Sequence, residues 1–215
     1  MNVFIIGAAG KVGRHLVPML AAGGHVARAM HRNAEQADTL AAAGGTPVSG
    51  DIVGLSVPEL AALMQGSDAV IFTAGAGGAG IELTNAVDGV GLEKAVAAAQ
   101  QAGIARFLLV SAFPEARRGM EPNQGFENYM RVKKLADVHL ARSGLDWVIL
   151  RPGTLTDDPG TGRIAAGLAL PYGSVPREDV AATLAAILDR PTLSRIIIEL
   201  TTGDAPIRQA LNTLA

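Results

Sequence analysis

Tyr129 and Lys133 are two side chains whose types and spacing suggest acid–base chemistry. On a helix, residues i and i+4 lie on the same face, so the phenol and the ammonium can reach one site. A nearby ammonium favours the phenolate and lowers the pKa of a tyrosine, which suits a proton donor to a carbonyl that is being reduced. A surface tyrosine beside an exposed lysine is the plain alternative, and the spacing by itself leaves both open.

A glycine-rich stretch near the start of the chain, "FIIGAAGKVGRHL" at positions 4–16, is the second candidate. Gly7, Gly10 and Gly13 are spaced three apart, after a strand-like run and before a helix-like one. In such a loop the first glycine allows a tight turn, the second lets the backbone approach a pyrophosphate, and the third lets helix and strand pack closely. The pyrophosphate then meets the positive end of the helix dipole. The pattern predicts dinucleotide binding; the alternative is an ordinary turn in a chain with 26 glycines among 215 residues.

The end of the second predicted strand, "ARAMHRN" at positions 27–33, indicates which dinucleotide is bound. An NAD-specific protein usually places Asp or Glu here to bond the ribose 2′-hydroxyl, and neither His31 nor Arg32 can act as that carboxylate. Arg32, together with Arg14 just after the third glycine, can hold a 2′-phosphate. We therefore predict NADP(H) in preference to NAD(H), with two simply solvated arginines as the alternative.

An alternation of short apolar runs and helix-like segments positions these candidates and extends from end to end of the chain. Runs such as "VFII", "AVIF", "FLLV" and "WVIL" are nearly continuous, which is typical of parallel strands covered on both faces. The alternation predicts an α/β fold, a Rossmann-type doubly wound parallel sheet of about seven strands in the order 3-2-1-4-5-6-7, within a single domain spanning 1–215. The predicted helices lie at about 11–22, 33–43, 58–65, 85–102, 127–142, 177–188 and 205–214.

Two longer stretches without a clear pattern, 112–126 and 153–174, follow the ends of predicted strands. Ligands bind at the carboxyl ends of strands in open α/β sheets, so we expect these stretches to form the substrate pocket. Arg117 and Arg118 in the first stretch either receive an acidic substrate there or belong to a plain solvated loop.

The composition excludes several classes of function. Hydrophobic residues make up 49% and charged residues 18%, as in globular proteins, and a net charge of -2 gives no general reason to expect nucleic acid or an anionic membrane as a partner. The chain has no cysteine, so disulfides and thiolate catalysis are excluded. The start of the sequence reads as neither a signal peptide nor a membrane anchor, which predicts a cytoplasmic protein of undetermined oligomeric state.

No metal site is expected. Asp157 and Asp158 could in principle bind a metal or act as acid and base, but Asp-Pro-Gly is turn chemistry, so we expect a solvated turn. The histidines are scattered without the spacing of metal ligands; they are His15, His25, His31 and His139.

Taken together, these motifs resemble the short-chain dehydrogenase/reductase superfamily in its atypical NAD(P)H-binding branch, which includes the flavin reductases (biliverdin reductase B) and the NmrA-like proteins. The resemblance covers nearly the whole chain. One matching motif is "SGLDWVILRPGTLTDDPGTGR", of which the part "RPGTLTDDPGTGR" is much more specific than the glycines. The other matching motifs are "GAAGKVG", "RAMHRN", "SGD", "TAGAG", "LLVSAF", "YMRVK" and "REDVA".

The resemblance implies a set of site residues. Ser111 would polarise the substrate carbonyl, Tyr129 would be the acid/base, and Lys133 would hold the nicotinamide ribose. Asp51 and Ile52 would lie by the adenine. The full set of cofactor-binding residues that it implies is Gly7, Ala9, Gly10, Lys11, Val12, Gly13, Arg14, His31, Arg32, Asp51, Ile52, Ala74, Gly75, Lys133, Pro152, Gly153 and Thr154.

The expected function is an NADPH-dependent oxidoreductase that transfers hydride to a small carbonyl, quinone or flavin-like acceptor. Two alternatives remain: a non-catalytic NADP(H)-binding sensor, and an NAD(P)-dependent epimerase or dehydratase. Ala112 stands where many extended members of the superfamily have a further Ser or Thr, and the segment between Ser111 and Tyr129 is shorter than usual. The motifs "VSAF" and "SGL" instead resemble the flavin reductases, which rely little on a Tyr–Lys pair, and the missing Ser at position 112 argues slightly for the sensor.

Overall fold

A mostly parallel sheet forms the middle of the molecule, which a computed structural model describes at residues 1–116, 119–121 and 123–214. Arg117 and Arg118 therefore lie outside the described residues. The strands are β1 (Asn2–Ile6), β2 (Val26–His31), β3 (Thr46–Ser49), β4 (Ala69–Phe72), β5 (Arg106–Val110), β6 (Asp146–Pro152), β7 (Thr154–Thr156), β8 (Arg163–Gly167), β9 (Ser174–Pro176), β10 (Ile196–Thr202) and β11 (Ala205–Pro206).

The order of the strands matches the predicted doubly wound sheet. Within the described residues, one sheet has the order β11-β8-β10-β6-β5-β4-β1-β2-β3, and the strands from β3 across to β10 run parallel to one another. Since β10 is the seventh strand predicted from the sequence, the predicted order is confirmed. The winding reverses at β1, between β2 and β4, which is the topological switch point where such sheets bind ligands.

The stretch 153–174 is more regular than expected. It contains β7 and β8, of which β8 extends the sheet by antiparallel pairing with β10, while β7 pairs with β9 in a separate two-stranded sheet. The sequence of β8, "RIAAG", has few of the β-branched and aromatic residues that favour strands. Pairing with the free edge of β10 therefore decides its conformation.

Helices cover both faces of the sheet. One apolar cluster packs α1 and α7 against one face, and a second packs α3, α5 and α6 against the other. Among the described residues, no helix combines the length and the apolar character needed to cross a membrane. The helices are α1 (Gly13–Ala22), α2 (Gln36–Ala42), α3 (Val57–Met64), α4 (Ile81–Thr84), α5 (Leu92–Gln101), α6 (Gln124–Arg142), α7 (Arg177–Leu188) and α8 (Ile207–Asn212), and a π-helical segment, Asn85–Gly91, joins α4 to α5.

Strand β1 shows why its apolar run is continuous. Val3 and Ile5 belong to one cluster and Phe4 and Ile6 to the other, because successive side chains of a strand point to opposite faces. All four side chains are fully buried. Each contributes about 1.5–3 kcal/mol to folding.

The close contact between β1 and α1 depends on Gly13. A Cβ placed there would lie 2.3 Å from Gly7 O and 2.5 Å from Ala8 O, and both are backbone atoms that have little freedom to move. The third glycine thus brings α1 directly against the loop that follows β1, as predicted from the sequence.

We expect Gly13→Ala to lower the free energy of unfolding by about 1–3 kcal/mol, because the added methyl overlaps backbone. Urea denaturation of the variant and the wild type measures the change. Gly54→Ala is the control, since a Cβ at Gly54 meets nothing within 4 Å. Equal stability of the two variants would contradict the packing role of Gly13.

Candidate functional site

The glycine loop lies at the switch point and is shaped by backbone contacts. Gly7 has a φ of +92°, and a Cβ there would lie 2.5 Å from Ala74 N at the end of β4. Gly10 N donates a hydrogen bond of 2.9 Å to Gly7 O, which closes the turn. No side chain caps the start of α1, and its first turn holds no acidic residue. The free positive end of this helix suits an anionic pyrophosphate, so the loop fits a dinucleotide.

Two exposed arginines flank this loop. Arg14 lies in the first turn of α1 and Arg32 directly follows β2, the neighbour of β1 in the sheet. Neither side chain has an ion-pair partner within the described parts of the chain. His31, in contrast, is buried, with its Nδ1 3.1 Å from Asn33 O.

The other predicted cofactor residues lie at the same edge of the sheet and differ in how exposed they are. Asp51 follows β3 and accepts a hydrogen bond from Val53 N at 3.0 Å. The buried ones are Val12, Ile52, Pro152 and Gly153. The ones that keep some exposure are Ala9, Gly10, Lys11, Ala74, Gly75 and Thr154. The structure thus brings together the carboxyl ends of β1, β2, β4 and β6.

Lys133 is held inside the protein rather than at its surface. It lies on α6, is 4% exposed, and its Nζ donates a hydrogen bond of 2.8 Å to Val110 O at the end of β5. The same ammonium lies 3.5 Å from Asp88 Oδ1. The alternative interpretation of Lys133 as an exposed surface residue is therefore wrong.

Asp88 is a site residue that the sequence reasoning missed. It is 2% exposed within the π-helical segment, and its Oδ2 accepts a hydrogen bond of 2.9 Å from Ala76 N. A Cβ at Gly75 would lie 3.1 Å from its Oδ1. Asp88 therefore joins Lys133 to the loop after β4, and that loop in turn contacts Gly7. A π-helical segment within a helix is frequent at functional sites, but residue types do not reveal its position.

Tyr129 is partly buried, one turn before Lys133 on α6. Burial is the main cause that raises the pKa of its phenol, and the carboxylates of Asp88 and Asp137 raise it further. The prediction that Lys133 lowers the pKa of Tyr129 is therefore wrong for this structure. The reason is that burial of the phenol disfavours its charged form, and the carboxylate of Asp88, which lies beside the Lys133 ammonium, adds to the rise in pKa.

Ser111 follows β5, and its buried hydroxyl lies close to the Asp137 carboxyl, whose pKa it lowers. A cavity of about 540 Å³ begins beside it, at Ala112 and Pro114. The cavity continues along one flank of α6 to Asp137 and to Arg151 at the end of β6. Its volume lies in the range of small-molecule sites.

Asp157 is exposed, as expected for a solvated turn, but it also forms two ion pairs. Its Oδ2 lies 2.7 Å from Lys11 Nζ in the glycine loop, and its Oδ1 lies 2.6 Å from Arg177 Nη1 at the start of α7. Both cations lower the pKa of this exposed carboxyl, first through the hydrogen bond from Lys11. The "TDDPGTG" stretch thus reaches across to the dinucleotide loop, which spacing along the chain did not reveal.

The Asp179 carboxylate, in the "REDVA" motif, binds the end of the "TDDPGTG" stretch. Its carboxylate is 1% exposed and accepts hydrogen bonds from Thr161 N at 2.9 Å, Thr161 Oγ1 at 3.1 Å and Gly162 N at 2.8 Å. Glu178 Oε2 accepts a fourth from Gly160 N at 2.8 Å. These hydrogen bonds join the two motifs, and they fix the segment after β6 to the start of α7.

A doubly wound sheet with an open glycine loop at its switch point defines a dinucleotide-binding protein of the Rossmann type. The chain belongs to the NAD(P)H-binding family, whose model matches residues 7–191. A nicotinamide dinucleotide is therefore its cofactor, and the atypical short-chain dehydrogenase/reductase resemblance is confirmed.

Similar proteins include both epimerase-like and reductase-like members. A Bacillus subtilis protein named as an uncharacterized sugar epimerase, YhfK, is 43% identical over 216 residues, covering 100% of both chains. A Bacillus halodurans protein with the provisional description NAD-dependent epimerase/dehydratase superposes with a TM-score of 0.91, at 32% identity over 99% of each chain. ChuY of Escherichia coli O157:H7, described as an anaerobillin reductase, gives 0.80 at 27% identity, covering 95% of this chain and 98% of its own.

We expect Asp179→Ala to lower the free energy of unfolding by about 2–4 kcal/mol, because it leaves the N–H groups of 161 and 162 without their charged acceptor. Urea denaturation measures the loss. Asp158→Ala is the control, since Asp158 is exposed and has no ion pair in the described part of the chain. A loss no larger than in the control would refute the anchoring role of Asp179.

Proposed function

We propose that this protein is an NADPH-dependent oxidoreductase that reduces a small carbonyl, quinone or flavin-like acceptor. The observation that carries the proposal is the cavity beside Ala112, because Lys133 lines it and Ala112 and Arg151 place it at the carboxyl ends of β5 and β6. A reduced nicotinamide supplies a hydride when bound. The cavity supplies space of the right size for an acceptor at the same edge of the sheet.

The preference for NADPH rests on Arg14 and Arg32. Both guanidinium groups are exposed and have no carboxylate partner among the residues that the structure describes. They lie next to the loop that fits the pyrophosphate, and they suit the 2′-phosphate of NADP(H). Asp51 follows the next strand and lies with Ile52 on the adenine side in this proposal. His31 is buried, so in this proposal it supports the adenine side of the groove from within the fold and presents no exposed ring to the cofactor.

Three residues form the proposed catalytic group. Lys133 binds the nicotinamide ribose, with Asp88 fixing its position. Tyr129 donates the proton; its raised pKa keeps the phenol protonated across the neutral range, so the donor form is always present. Ser111 stabilises the developing oxyanion, which requires its buried hydroxyl to turn from α6 toward the cavity.

The remaining proposed contacts complete the cofactor groove. Ala74 and Gly75 face the middle of the dinucleotide, which is consistent with the contact between Ala74 and the glycine loop. Pro152, Gly153 and Thr154 flank the nicotinamide. The Thr154 Oγ1 lies 2.6 Å from the Tyr172 hydroxyl, which ties this corner to the segment before β9.

Epimerase or dehydratase activity on a nucleotide sugar is the second candidate, because YhfK is named as a sugar epimerase and the Bacillus halodurans protein is described as an NAD-dependent epimerase/dehydratase. An epimerase or dehydratase leaves the nicotinamide in its starting redox state after each turnover. Incubation with nucleotide sugars and the oxidised cofactor would then convert the sugar without net formation of NAD(P)H. A sensor would bind NADPH tightly and show neither reaction.

We expect Arg32→Ala to weaken NADPH binding about tenfold or more and to leave NADH binding unchanged, because NADH has no 2′-phosphate to lose contact with. Titration calorimetry with both cofactors measures the two effects on one protein sample. An equal effect on both, or no effect on NADPH, would remove Arg32 from the 2′-phosphate site.

We expect Tyr129→Phe to lose about 10²–10⁴-fold of the rate of acceptor reduction while it keeps its NADPH affinity. The measurement is NADPH oxidation by wild type and variant against a panel of quinones, flavins, aldehydes and ketones. Equal turnover in both proteins would exclude the phenol as the proton donor and retain the reductase. No wild-type turnover with tight NADPH binding would refute the reductase in favour of the sensor.

A further inference from the structure

Asp157 lies between two cations that come from different parts of the fold. Its Oδ2 accepts a hydrogen bond of 2.7 Å from Lys11 Nζ, and its Oδ1 accepts one of 2.6 Å from Arg177 Nη1. The side chains of Lys11 and Asp157 are more than half exposed, whereas that of Arg177 is mostly buried. An exposed ion pair contributes little to folding, so the place of this pair at the glycine loop points to binding.

The contact with Arg177 is the fixed side of this arrangement. Arg177 begins α7, and the two residues that follow it, Glu178 and Asp179, accept backbone hydrogen bonds from residues 160–162. The segment that carries Asp157 is therefore attached to α7 just beyond the carboxylate. Its second oxygen is thus held in place to receive a cation from the glycine loop.

The segment also crosses the edge of the sheet at which a dinucleotide binds. It leaves the end of β6, and Asp157 brings it to the loop after β1, although β5 and β4 lie between these two strands in the sheet. The pyrophosphate belongs at the switch point beside β1. The contact between Asp157 and Lys11 therefore links the proposed nicotinamide end of the groove, at β6, to its pyrophosphate end.

Lys11 can bind a second anion besides Asp157. An ammonium has three N–H donors, and Asp157 accepts one of them. Lys11 directly follows Gly10, whose N–H closes the turn of the glycine loop, and its side chain is 58% exposed. The loop that fits a pyrophosphate thus carries a cation with donors to spare.

We propose that Asp157 is a positioning residue of the cofactor site: anchored on Arg177, it holds the Lys11 ammonium against the pyrophosphate and so slows release of the dinucleotide. The proposal needs the nicotinamide dinucleotide, which the family membership gives, and does not depend on the reductase reaction. A carboxylate by itself repels an anionic cofactor. Asp157 therefore favours binding only through Lys11, which makes its role testable.

The measurement is the rate at which NADPH dissociates, followed by nicotinamide fluorescence after the complex is mixed with excess NADP⁺ in a stopped-flow instrument. We expect Lys11→Ala to raise the dissociation rate constant about tenfold or more, because a charge-assisted hydrogen bond to phosphate is lost. Asp157→Asn should raise it about two- to fivefold, the range of an exposed ion pair, and Asp157→Glu should restore part of the slow release. Unchanged or slower release from Asp157→Asn would overturn the proposal, since a carboxylate that only repels the cofactor gives that result.

Asp158→Asn is the matched control, because it removes the same charge from the neighbouring position. Asp158 is exposed and has no ion pair in the described part of the chain. It should change the association rate as Asp157→Asn does and leave the dissociation rate unchanged. Equal acceleration of release by both variants would contradict the proposal, because the lost charge and not the contact with Lys11 would then be the cause.

The double variant Lys11→Ala/Asp157→Asn shows whether Asp157 acts through Lys11. It should release NADPH as fast as Lys11→Ala alone, whereas full addition of the two effects would refute a shared role. NADH release should respond by the same factors, because both cofactors carry the pyrophosphate. An effect confined to NADPH would place Lys11 at the 2′-phosphate instead. These rates need no turnover, so failure of the proposed reductase leaves the test in force.

Discussion

The contact between Asp88 and Lys133 is the interaction on which the geometry of this site depends. Both groups are almost fully buried, and a buried charge is tolerated only when it is paired and hydrogen-bonded. Asp88 meets this condition through Ala76 N, and Lys133 meets it through Val110 O. The pair therefore joins the π-helical segment, the loop after β4, the end of β5 and helix α6.

The same pair changes the electrostatics expected from the sequence motif. A Tyr–Lys pair four residues apart was expected to make the phenol more acidic, but the ammonium of Lys133 is already balanced by Asp88. Burial of Tyr129 then raises the pKa of its phenol. Its neighbour Asp137 is desolvated too, and for a carboxyl the same physical effect favours the protonated form. Burial thus shifts both pKa values upward, while at Asp137 the Ser111 hydroxyl and the charges of Arg151 and Lys133 oppose the shift.

A second set of carboxylates organises the segment after β6. Asp179 binds the backbone of 161 and 162, and Asp157 lies between Lys11 and Arg177. The first contact is buried and fixes the segment to α7. The second is exposed and screened by water, so its strength depends on salt. The segment is therefore anchored firmly at one end and contacts the dinucleotide loop through a weak ionic link at the other.

The sequence by itself determined the parallel sheet, the order of its seven principal strands and the place of the glycine loop. These features follow from local signals: continuous apolar runs such as β1, helix-like segments between them, and glycines at positions that only glycine can occupy. Tertiary structure alone decided the partners of the charged groups, among them Asp88, Asp157 and Asp179. Each of these carboxylates binds a group that is remote along the chain or fixed by backbone geometry, and residue type gives no information about which distant partner the fold brings within hydrogen-bond distance.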